Sequence, residues 1–143
     1  MDTVARHILW FLPMLWLGMV LAISFVEAPL KFRAPGITLP LGLGIGRVVF
    51  RALNIAESVL ATLLVLAASI VSSAAANWVW LATAVALLAV QVLVVRPPLS
   101  RRTDRVLSGE DLPRSTAHYW YIGLEVAKAV VLVGLAIAMA PVS

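Results

Sequence analysis

Apolar residues fall in four long runs, at about 8–26, 52–71, 78–95 and 117–140, set apart by two long connections (27–51 and 96–116) and one short neutral turn, 72–77. At about 1.5 Å of rise per residue, such runs reach across a hydrocarbon core of roughly 30 Å. The pattern predicts one all-α membrane domain over 1–143, a four-transmembrane-helix up-and-down bundle. The first run carries no charge, exceeds a usual signal-peptide h-region and lacks a clear small-residue cleavage site, so it reads as helix one. Pro13 is expected in its first turns, where a missing N–H costs least. The connection 27–51 holds Pro29, Pro35 and Pro40 with Gly36, Gly42, Gly44 and Gly46, so no regular helix is expected through its middle. Its LPLGLGIGR stretch reads as an interfacial or re-entrant segment, since irregular backbone at membrane depth must be covered by protein or water. Helix three is expected to stop at Arg96-Pro97-Pro98, and Pro113-Arg114-Ser115 to cap helix four.

The fourth run breaks the apolar pattern. His118, Tyr121, Glu125 and Lys128 recur every three or four residues and so share one helical face. An acid or base at the centre of a spanning helix costs roughly 2.5–3.5 kcal/mol, against about 0.3–0.6 returned by each Leu, Ile or Val. This helix therefore depends on polar partners from its neighbours.

Composition supports the membrane reading: 62% of the 143 residues are hydrophobic, 13% are charged, and the mean hydropathy is +1.02. The net charge of +4, from 11 Lys and Arg against 7 Asp and Glu, needs no nucleic acid to explain it. Nine of those bases (Lys31, Arg33, Arg47, Arg51, Arg96, Arg101, Arg102, Arg105 and Arg114) fall in the two long connections, whereas Arg6 alone lies on the other side. The positive-inside rule then places both connections in the cytoplasm and both termini outside. The basic connections are expected to attract anionic lipid headgroups. Trp10, Trp78 and Trp80 would mark the outer interface, and Tyr119, Trp120 and Tyr121 the inner one. The absence of cysteine excludes disulfides, thiolate metal sites and dithiol redox chemistry.

Given that topology, polar groups converge in the cytoplasmic half. Glu27 ends helix one, Glu57 lies about 6–9 Å inside helix two, Gln91 about 7 Å inside helix three, and Lys128 about 15–20 Å deep on helix four. Glu57, His118, Glu125 and Lys128 are the candidate acid/base groups, and Glu27, Asn54, Gln91 and Tyr121 the candidate ligand-binding groups. Interhelical hydrogen bonding, with Glu125 paired to Lys128 and Glu57 paired to Arg51, is the purely structural alternative. Glu27, Glu57, His118 and Glu125 are oxygen and nitrogen donors suited to iron, manganese or zinc, but the paired Glu-x-x-His unit of di-metal bundles is absent. No metal site is therefore assigned, and haem ligation by His118 or His7 rests on a lone histidine in each case. The glycine spacing of 42–46 lacks the GxGxxG order and the preceding strand of a dinucleotide site.

The stretch FVEAPLKFRAP at 25–35, with the proline-terminated third helix and the His-led fourth, resembles small four-helix membrane proteins of unknown function, the transmembrane-protein and anthrone-oxygenase-like groups. The resemblance implies the same topology and transfers no catalytic residue; within the oxygenase-like group, His118 and Glu57 are the positions it would single out. The expected function is binding of, or action on, a hydrophobic or amphipathic small molecule in an inner-leaflet site. The alternatives are an accessory subunit that packs against itself or a partner through Gly18/Ala22 and Gly134/Ala138, and a proton or ion pathway formed in an oligomer.

Overall fold

The computed structural model describes residues 1–72, 74–112 and 116–141. Among the described residues the chain forms four long helices and no strand: α1 (Asp2–Arg33), α2 (Leu39–Val71), α3 (Ala75–Val90, continued by Gln91–Val95 and Arg96–Leu107) and α4 (Thr116–Met139). All four are long and apolar enough to cross a membrane. Arg114 and the cap expected at 113–115 lie outside the described residues. Packing follows chain order around a ring, with α1 against α2 and α4, and α3 against α4 and α2. In the half remote from the basic connections the core is apolar, with Trp16 and Val20 of α1 meeting Leu64, Leu81, Leu132 and Leu135. Leu93, Val130 and Ile137 point outward and remain more than 60% exposed, as a lipid-facing surface requires.

Helix lengths depart from the pattern in three places. The glycine-rich segment is helical, because α2 begins at Leu39, and the connection shrinks to 34–38 around Gly36 at φ +81. Thr38 caps that start by accepting from the Leu41 N–H at 3.3 Å, and Pro40 falls in the first turn, where its missing donor is harmless. In apolar surroundings a helix satisfies its own backbone, and this gain outweighs the low helix propensity of Gly42, Gly44 and Gly46. Pro13 is interior to α1, since regular helix already begins at Asp2. The Pro97-Pro98 pair does not stop α3 either. A π-helical segment, Gln91–Val95, precedes it, the Arg96 N–H reaches back to the Gln91 carbonyl, and the prolines then occupy the first turn of the continuing helix. The extension through Leu107 is amphipathic and buries Thr103 and Val106.

Candidate functional site

The polar stripe of α4 meets its partners within the bundle. Lys128 is fully buried, and its ammonium contacts three acceptors, Glu57 Oε2 at 2.5 Å, Glu125 Oε1 at 2.6 Å and Gln91 Oε1 at 2.7 Å. An ammonium has three N–H groups, so this set saturates it. Glu57 Oε2 also accepts from the Trp16 indole N–H at 2.7 Å. Glu125 Oε1 accepts from Gln91 Nε2 and Oε2 accepts from the Ser24 hydroxyl, both at 2.6 Å. Asn54, with its amide turned to suit both neighbours, donates to Glu57 Oε1 at 3.2 Å and accepts from Arg96 at 2.9 Å. Two carboxylates are thus balanced by one ammonium directly and by one guanidinium through an amide.

Local helix geometry makes this convergence. Both π-helical segments, Leu21–Glu27 in α1 and Gln91–Val95 in α3, contribute a partner of Glu125, Ser24 from the first and Gln91 from the second. A π turn inserts an extra residue, which turns the following side chains relative to the regular helix and is frequent at functional sites. Hydrophobic periodicity alone does not announce it, and Ser24 was accordingly absent from the expected set. Trp16 and Arg96 were missed as well, although a bulky indole N–H on the buried face of α1 is the kind of donor a buried carboxylate requires.

Above this cluster lies a cavity of about 650 Å³, between the basic-end turns of all four helices. Its walls are mostly apolar, with Phe25, Phe32, Leu43, Phe50 and Ile122 among them. Its charged lining consists of Lys31, Arg47, Arg96, Arg102 and Glu125, and His118 lies on it as well. Tyr121 stacks edge-on against Phe50, with ring centroids 5.4 Å apart, and its buried hydroxyl faces Asn54 without meeting hydrogen-bond geometry.

The expected site residues divide accordingly. Asn54, Glu57, Gln91, Glu125 and Lys128 are brought into one cluster, and Tyr121, His118 and Glu125 reach the cavity. Glu57 pairs with Lys128 rather than with Arg51. Glu27 joins neither group; it turns toward Lys31, one turn away, at 4.0 Å. Among the described residues no three His, Asp or Glu side chains are grouped so as to hold a metal ion. His7 sits in the first turns of α1, bonded to the Thr3 carbonyl at 2.7 Å, at the end of the bundle remote from His118. Of the small-residue faces, Gly134 is filled by Trp80 of the same chain, which a Cβ there would meet at 2.6 Å, whereas Gly18 and Ala22 remain exposed.

Compared with known proteins, the chain matches no family model, no curated protein and no solved structure. The functional reading therefore rests on the cavity and its charged floor.

Proposed function

We propose that the protein is a multi-pass membrane protein that binds an amphipathic small molecule in the cavity between its four helices, with the basic end toward the cytoplasm. One observation carries this reading: a cavity of about 650 Å³, within the size range of small-molecule sites, has apolar walls and ends on a hydrogen-bonded charged floor. Placing charge in an apolar slab is expensive, and such groups mark functional sites by default. Glu57 and Lys128 are enclosed, and their hydrogen bonds go to one another and to Trp16, Asn54, Gln91 and Glu125 within the bundle, so their part is to hold Glu125 in place. Glu125 is the member of the trio that lines the cavity. If the bound molecule is also transformed, Glu125 and His118 are the acid/base candidates able to reach it.

The test is to identify by mass spectrometry the small molecules that co-purify in mild detergent, for wild type and for Leu43→Trp, which fills the cavity from its wall. Loss of a bound amphiphile from a variant that still folds is expected. Retention of the same molecules at the same stoichiometry would refute the cavity as their site.

A further inference from the structure

The glycines of LPLGLGIGR have a use that the bundle alone does not explain. Gly42 and Gly46 are one helical turn apart on α2, and the last turns of α1 lie over them. A Cβ at Gly42 would collide with the Phe32 ring, and one at Gly46 would come within 2.7 Å of Lys31 Nζ. The two glycines thus form a seat that lets Phe32 and Lys31 lie against α2, on the cavity wall.

Lys31 placed there is an unusual cation. Its side chain is only 11% exposed, and its ammonium lies 5.5 and 5.8 Å from the ring centres of Phe32 and Phe50. The contact with Glu27 is 4.0 Å long, beyond hydrogen-bond reach, and Glu27 Oε2 is itself buried without a hydrogen-bond partner among the described residues. Other charges on the wall are already engaged: Arg47 pairs with Asp104, Arg96 donates to the Arg47 carbonyl at 3.1 Å, Arg102 has an interaction of its own, and Glu125 is balanced by Lys128. Among the described residues the Lys31 ammonium meets no hydrogen-bond acceptor, only Glu27 at 4.0 Å and the two ring faces, so an anionic group in the cavity would supply the charge-assisted hydrogen bonds that the bundle does not.

We infer that the molecule bound in this cavity is a single-chain amphiphile with an acidic head, a carboxylate or a phosphate, seated on Lys31 above Gly46. This rests on the reading of the cavity as a ligand site and adds the charge and anchor of the ligand. The apolar walls take the chain, and Glu27 is the residue that competes with the head for Lys31.

Oleate, oleyl phosphate, oleyl alcohol and oleylamine, titrated into full-length protein in a neutral detergent and read by native mass spectrometry, test the inference. At least one of the two acids is expected to bind about tenfold or more tightly than the alcohol, the difference a charge-assisted hydrogen bond makes. Which acid binds better separates a carboxylate head from a phosphate head. Lys31→Met should abolish that preference while alcohol binding persists, Lys31→Arg should keep it, and Glu27→Gln should strengthen acid binding severalfold. Equal binding of acid and alcohol, preferred binding of the amine, or an unchanged preference in a folded Lys31→Met protein would overturn the acidic head and leave the cavity reading standing. No binding of any probe overturns both.

Discussion

Lys128→Met is the substitution on which the account of the charged floor depends. It keeps the length of the side chain and removes the ammonium that touches Glu57 Oε2, Glu125 Oε1 and Gln91 Oε1 at 2.5–2.7 Å. Both carboxylates keep neutral donors, Trp16 and Asn54 for Glu57, Ser24 and Gln91 for Glu125, but lose their shared counter-charge. Breaking a buried ion pair by removing one partner costs about 3–5 kcal/mol, most of it the desolvation left uncompensated. For a chain of this size that corresponds to a fall of roughly 10–17 °C in the midpoint of thermal unfolding. Tryptophan fluorescence in detergent would read it. Glu125→Gln should cost much less, because glutamine still offers Lys128 an oxygen and the trio goes from a formal charge of −1 to neutrality. Adding Glu57→Gln and Glu125→Gln to Lys128→Met removes the stranded charges and should restore more than half of the loss. A Lys128→Met protein as stable as wild type, or a triple variant no better than the single, would refute the argument.

Other substitutions probe single contacts. Trp16→Phe keeps the ring in the core but removes the indole donor to Glu57, and should cost about 1.5–3 kcal/mol in the same unfolding assay, the range for a hydrogen bond to a charged group. Gly134→Ala places a Cβ 2.6 Å from the Trp80 ring, a rigid neighbour, and should destabilise by about 1–3 kcal/mol through overpacking. Glu110, exposed beyond the end of α3, is held below the ordinary carboxylate range by its hydrogen bonds to Arg105. A depressed folded value means that its small contribution is present at neutral pH and is lost as pH falls through that value. An NMR titration of its side chain should show the shift, and Arg105→Gln should abolish it.

The four helices were legible because apolar runs of spanning length leave few alternatives, and the polar stripe of α4 was legible because His118, Tyr121, Glu125 and Lys128 keep helical spacing. Helix ends were not. Proline and glycine report local preference in water, whereas at Leu39–Phe50 and at Pro97-Pro98 the need to satisfy backbone groups internally prevails. Of the site, the partners on α2 and α3 could be anticipated by depth, since Glu57 and Gln91 are rare polar groups in apolar runs. Ser24 and Trp16 could not. A serine near the end of an apolar run is unremarkable, and it meets Glu125 from within a π-helical segment, Leu21–Glu27, that the apolar pattern does not announce. Glu27 shows the converse: it lies at the expected depth, but its side chain turns to Lys31 rather than to the cluster. Depth along a helix follows from residue count, whereas azimuth depends on helix type, which periodicity does not report.

Arg96 and Glu125 connect the two halves of the site, because each belongs to the charged cluster and also lines the cavity. Arg96 balances Glu57 through Asn54 and ties α3 to the Arg47 carbonyl of α2, so it should carry both stability and ligand binding. Lys31 is outside the cluster, and Trp16 is outside the cavity. A three-way separation follows. Arg96→Gln should lower the unfolding midpoint and weaken binding of an acidic amphiphile; Lys31→Met should weaken binding with little change in the midpoint; Trp16→Phe should lower the midpoint and leave binding of the probe to folded protein unchanged. If Arg96→Gln instead followed only one of the other two, the cluster and the cavity would be independent features that merely adjoin, and Glu125 would have to be assigned to one of them alone.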